Sequence, residues 1–174
     1  MKRYLHIGLA LVSLGLSPTL LIQCAPALPQ PTPPIPIGQE VFSPHGWADY
    51  CERHPDDEAC KWQQAVRVNF DINKRIRFQH DIKTYGRNEY WEPADNVGDC
   101  DGYVLRKRQE LFDKGWTLEE LSIATGWTDK GEYHAVLMIH TDRGTYVLDN
   151  RTDMVRPWNK AGYTWDKIQS GTKW

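Results

Sequence analysis

The chain has 174 residues, which is room for one globular domain with a short extra segment and not for two domains of ordinary size. A make-up of 40% hydrophobic, 25% charged and 11% aromatic residues fits a folded core and argues against collagenous, coiled-coil, wholly disordered and polytopic membrane chains. A formal net charge of −2 argues against a nucleic-acid binder that works by neutralising phosphates, while eight Trp and eight Tyr point to a core filled by large rings.

Residues 1–27 have the pattern of a secretory signal. Lys2 and Arg3 precede an apolar run from Ile7 to Ile22, and Ala25-Pro26-Ala27 supplies a small–x–small cleavage pattern. An uncleaved anchor is the weaker reading, because the run is short of the ~20 apolar residues a spanning helix needs and Pro18 interrupts it. Lipidation at Cys24 is weaker still, because the bulky Gln23 precedes it. Cleavage removes two basic residues and no acidic ones, taking the net charge from −2 to −4. Six of the eleven prolines fall between Pro26 and Pro36, five of them after the cleavage point, so residues 28–38 are expected to be an extended linker and 39–174 the folded domain.

Three cysteines remain after cleavage, an odd number for an exported chain. Cys51 and Cys60 enclose a short polar loop and can close a local disulfide in an oxidising compartment, which leaves Cys100 as a free thiol. Residues 47–59 can form a helical turn, and from Cys60 to Arg77 the apolar positions Trp62, Ala65, Val66, Phe70 and Ile76 recur at roughly helical spacing. Residues 79–98 carry Tyr85-Gly86, Pro93, Asn96 and Gly98 and are expected to be loop. After Gly98-Asp99-Cys100-Asp101, residues 103–114 predict a helix with Val104, Leu105, Leu111 and Phe112 on its apolar side and Arg106, Lys107, Gln109 and Glu110 on its polar side.

The pattern then changes to strands. Leu121 to Trp127 alternates, His134 to His140 is a continuous apolar run, and Gly144 to Leu148 is a third strand, with short turns between. A helix bearing a Cys at its start, followed by an antiparallel meander, predicts an α+β domain.

Cys100 at a helix N-terminus is expected to gain thiolate character, because free backbone N–H groups and the helix dipole favour an anion there. The same N–H groups are oxyanion donors. A thiolate nucleophile needs a His, and the His an orienting carboxylate. A hairpin turning on Asp142-Arg143, with Thr141 opposite Gly144, puts Val136 opposite Asp149. His134 shares the parity of Val136, so His134 and Asp149 are diagonal neighbours on one sheet face, ~7–8 Å apart at Cα. Asp99 and Asp101 flank the thiol and oppose its ionisation unless they cap the helix, turn away, or are neutralised by a hard cation such as calcium. The remaining histidines show no zinc-ligand spacing.

The runs GDCDGYVLRKRQEL and GEYHAVLMIHTDRGTYVLDNRTDMVRPW, with VNFDIN at 68–73, YGRNEYW at 85–91 and the stretch from Tyr163 to Trp174, resemble the bacterial transglutaminase-like cysteine proteinases over roughly residues 40–174. The resemblance implies a papain-like fold, a periplasmic location and a Cys-His-Asp triad of Cys100, His134 (in HAVL) and Asp149 (in LDN). It also implies a protein substrate such as a large surface adhesin, control by an inner-membrane receptor, and calcium held by carboxylates around the Cys. Trp91 matches the position of an oxyanion-hole Trp. Where the family places Glu-Asp after the Cys, this chain has Asp101-Gly102, one carboxylate fewer, which weakens the expectation for calcium. The expected activity is that of a cysteine peptidase requiring no cofactor. Transglutaminase or amidase chemistry on the same residues, and a binding module without catalysis, stay open.

Overall fold

The computed structural model describes residues 45–54 and 57–174. The proposed signal (1–27), the proline-rich linker (28–38) and the first residues of the domain lie outside the described residues. The first helix, α1 (His45–Arg53), is tied by the Cys51–Cys60 disulfide to a 3₁₀ turn at Glu58–Cys60. Both half-cystines are buried, and closing so short a loop restricts the unfolded chain by about 2–3 kcal/mol on chain-entropy grounds.

Helix α2 (Lys61–Arg75) follows directly. Its buried stripe is Ala65, Val68 and Ile72, continued by Ile76 as the chain turns extended. Phe70, expected on that stripe, is exposed and lies under the Lys74 ammonium, because the stripe advances by three and four residues from Ala65 and bypasses it. The segment expected to be loop (79–98) contains a one-turn helix α3 (Asp81–Tyr85) and ends in β2 (Val97–Gly98), which pairs in parallel with β1 (Arg77–Phe78) just before it.

Helix α4 (Cys100–Phe112) starts three residues before the apolar pattern does. Tyr103, Val104 and Leu111 are buried, while Phe112 is exposed. The Tyr103 hydroxyl donates to the carbonyl of Ile76 and so joins α4 to the end of α2. Five antiparallel strands complete the domain: β3 (Leu121–Thr128), β4 (Tyr133–Thr141), β5 (Gly144–Leu148), β6 (Arg156–Pro157) and β7 (Tyr163–Ile168), in the order β6-β5-β4-β3-β7.

One sheet face packs Leu121, Ile123, Ala135, Leu137, Ile139 and Leu148 against α2 and α4 in the main core, and the other carries Ala124, Val136, Met138 and Val147 beneath Ala161, Tyr163 and Trp165. Apolar cover on both faces explains why β3 is buried along nearly its whole length instead of alternating with solvent. The β4–β5 hairpin pairs Thr141 with Gly144 and Leu137 with Leu148, the register expected from a turn on Asp142-Arg143. The domain is α+β, as expected.

Candidate active site

Cys100 is the first residue of α4. Asp99 occupies the N-cap position with an extended backbone, but its side chain makes no capping bond, so the first-turn N–H groups are not consumed by it. The backbone N–H groups of Ala135 and Asp101 favour the Cys100 thiolate. Cys100 packs against the core that includes Ala135 on strand β4, next to His134 in sequence. The helix start is pressed onto the preceding loop: Ala94 N donates to the Gly102 carbonyl at 3.1 Å, and a Cβ on Gly102 would stand 3.1 Å from the Ala94 methyl and 3.3 Å from the Glu92 carbonyl. A larger residue at 102 would have to displace that loop.

The thiol does not gain the acidity that its position promised. Burial pushes it up to about 11, and the charges of Asp99 and Asp101 push the same way, against the two backbone donors. Desolvation of a thiolate outweighs the helix terminus here, so the proton needs a base to take it.

His134 Nε2 and Asp149 Oδ1 are 3.1 Å apart, and both side chains are buried. Asp149 Oδ1 also accepts from the backbone N–H of Arg151 at 2.9 Å, and Oδ2 accepts from the Tyr163 hydroxyl at 2.5 Å. Burial pushes the Asp149 carboxyl up, but the His134, Tyr163 and Arg151 bonds together outweigh it and hold the group below the usual carboxylate range. Its backbone is fixed from α2, where Asn73 Nδ2 donates to the Asp149 carbonyl at 2.9 Å. Asn69, one turn earlier, donates to the carbonyls of Thr152 and Asp153. Two amides on one helix face thus shape the loop that presents the carboxylate.

Three further residues of the site have no role that local motifs assign. Tyr163 reaches Asp149 from β7 and stacks on the His134 ring. Lys107, placed on the polar side of α4 by its pattern, is only 1% exposed and donates to Asn69 Oδ1 at 2.7 Å. Burial pushes its ammonium down to about 7, although the carboxylates of Asp149 and Asp153 act in its favour. Asp81, in the segment expected to be loop, joins Asp99 and Asp101. A fully buried lysine at i+7 from the Cys has the same period as the apolar positions Val104 and Leu111, and that is the one local signal available for it.

The carboxylates of Asp81, Asp99 and Asp101 each place one oxygen within 4.8 Å of the others. Asp99 Oδ1 and Asp101 Oδ1 are buried without a hydrogen-bond partner, and the Asp101 carboxyl is pushed up to about 8 by burial first and by Asp99 and Asp81 after it. Unpaired carboxylate oxygens facing one another fit a hard divalent cation with oxygen ligands. Trp91 is 41% exposed, its indole N–H donates to Glu89 at 3.3 Å, and its ring meets Trp174 edge-on.

A family model described as bacterial transglutaminase-like cysteine proteinase matches residues 37–174. No curated protein matches the chain. Among solved structures the chain is similar to Legionella pneumophila LapG in its calcium-bound form, with a TM-score of 0.52 and 19% identity over 62% of this chain and 64% of that one. It is similar also to a second structure of LapG (TM-score 0.55, 19% identity, 63% and 65%) and to the EGTA-treated form (TM-score 0.55, 19% identity, 63% and 63%). The chain thus spans a little under two thirds of each LapG chain, and at this identity the likeness is one of fold.

Proposed function

The chain belongs to the bacterial transglutaminase-like cysteine proteinase family, and from that membership we propose that it is an exported cysteine peptidase acting through Cys100, His134 and Asp149. The observation that carries this reading is the buried His134–Asp149 bond at 3.1 Å, with His134 next to Ala135, a member of the core against which Cys100 packs.

In the proposed reaction the Cys100 sulfur attacks a peptide carbonyl. His134 takes the thiol proton and returns it to the leaving amine. Asp149 occupies Nε2 of His134, which leaves Nδ1 as the nitrogen that faces the reacting groups and fixes the tautomer. The Cys100 backbone N–H, at the start of α4, supports the oxyanion, with the Trp91 indole as second donor once it releases Glu89. Water then attacks the thioester, releasing the acyl group as a carboxylate and restoring the thiol.

The substrate class is a periplasmic or cell-surface protein such as an adhesin, and the regulator an inner-membrane receptor, both following from the family resemblance. Export rests on the signal pattern of residues 1–27. Among the described residues no helix is long and apolar enough to cross a membrane.

Product analysis by mass spectrometry, with and without an added primary amine, tests the reaction type. A new free carboxyl terminus is expected in both cases. Amine incorporation would identify acyl transfer instead, and failure of a thiol-directed active-site probe to label Cys100 would favour a module without catalysis.

Asp81, Asp99 and Asp101 are the residues that would hold calcium, and a cation there would neutralise the charges around the thiol. Calcium is expected to raise the melting temperature by several degrees, since a ligand bound at a hundred times its Kd adds about 2.7 kcal/mol to native stability. A chelator should reverse the shift, and Asp81→Asn should abolish it. A melting temperature indifferent to calcium in the parent protein would refute the site.

A further inference from the structure

Tyr163 lies 14 residues beyond Asp149 in sequence, at the start of the stretch Tyr163–Trp174, and it touches both members of the pair. Its hydroxyl donates to Asp149 Oδ2 at 2.5 Å. Its ring lies parallel to the His134 imidazole, with 11° between the planes and 5.9 Å between the centroids. The guanidinium of Arg151 lies over the same ring, 6.0 Å from its centroid.

The backbone is built to bring it there. On β3, Gly126 pairs with His134 on one side and Trp165 on the other, and the β3–β7 register shifts between Thr125 and Gly126. A Cβ at Gly126 would stand 2.7 Å from the Thr164 carbonyl and 3.1 Å from the Trp165 Cα. Only a residue without a side chain allows β7 this approach, and the close approach seats Tyr163 over the pair.

We propose that Tyr163 is a positioning residue for the His134–Asp149 pair, with Gly126 as the seat that lets it reach. The proposal rests on the reading of that pair as catalytic. Asp149 Oδ1 is held by His134 and by the Arg151 N–H, but with Oδ2 free the carboxylate can still tilt about its last side-chain bond. The Tyr163 hydroxyl occupies the second oxygen and removes that freedom, so Oδ1 stays aimed at Nε2. The ring does a separate job, covering one face of the imidazole and keeping water from competing for the Nε2–H bond.

The test uses the full chain in three backgrounds: parent, Tyr163→Phe and Tyr163→Leu. In each, Cys100→Ala protein is used for nitrogen-15 NMR of the His134 ring, and the intact thiol for kinetics on a cleavable protein. The parent should show His134 almost entirely as the Nε2–H tautomer. Tyr163→Phe keeps the ring and loses the bond, and should give a mixed tautomer population and a kcat about 10-fold lower, with KM changed less than 2-fold. Tyr163→Leu loses both contacts and should cost about 100-fold in kcat. Gly126→Ala keeps Tyr163 but moves β7, and should reproduce the NMR change, with circular dichroism confirming the fold.

A folded Tyr163→Phe variant with the parent's tautomer and kcat would overturn the proposal, as would equal tautomer populations in the parent itself. The NMR readout does not depend on turnover. If Cys100→Ala stays active, the catalytic reading fails while the His134 spectra still decide what Tyr163 does to the pair.

Discussion

Replacement of Cys100 by Ala is expected to reduce turnover to background while leaving the fold intact, because the sulfur supplies the covalent step and little core volume. With the thiol held near 11, roughly one molecule in 10⁴ carries a thiolate at neutral pH without help. The base is therefore nearly as necessary as the nucleophile, and His134→Ala should cost about three to four orders of magnitude in kcat. Asp149→Asn should keep substrate binding and lose about two to four orders, since an amide can donate to Nε2 and favour the wrong tautomer. Double variants should be no worse than the worst single one, as for residues that act as a unit. Single and double variant kinetics on a protein substrate, with circular dichroism as the folding control, check all of this. A folded and fully active Cys100→Ala protein would refute the peptidase reading.

Lys107→Met should alter how stability depends on pH. Burial brings the Lys107 ammonium down to about 7, whereas in an unfolded chain it titrates near ~10.4. Between those values the unfolded chain keeps a proton that the native protein has given up, so this group makes native stability rise with pH across the window. Below about 7 both states are charged and its contribution is constant. The rise is on the order of a few kcal/mol. Cys100 and Asp101, both raised by burial, tilt the curve the other way over parts of the same range. The quantity to measure is therefore the difference between denaturation curves of variant and parent from pH 6 to 10. Methionine has a similar length and no charge to desolvate, so the variant should gain on the parent most at the acid end. Parallel curves would show that the Lys107 ammonium ionises normally.

What could be read in advance divides by the range of the interaction. The hairpin register was legible because a two-residue turn at Asp142-Arg143 sets it locally, and with it the pairing of Leu137 and Leu148 that puts His134 near Asp149. The helix after Gly98-Asp99 and the three main strands were legible from period and punctuation, although the helix begins at Cys100, three residues before its apolar period does. Phe70 misled because its helix buries a narrower stripe than its apolar residues suggest. Lys107 misled because binary patterning counts lysine as polar, whereas here an amide on another helix satisfies it. The acidity of the thiol was misjudged because a helix terminus is visible in sequence and desolvation is not. Asp81, Asn69, Asn73 and Tyr163 reach the site by tertiary contact; the last three fall in stretches that carry the family resemblance, but neither period nor spacing says what they touch.

The hydrogen bonds from Asn69 and Asn73 to the loop after β5 close chain separations of 76 to 84 residues. Contacts of such high order form late, because the entropy of closing the loop must be met before they return anything. Under the catalytic reading, the carboxylate that orients the base is presented only after α2 has docked on strands made near the end of synthesis. A chain still emerging from a ribosome holds its cysteine but not the geometry to use it. Long-range assembly therefore works as a timer, keeping a peptidase of this design idle until the whole domain has arrived where it folds.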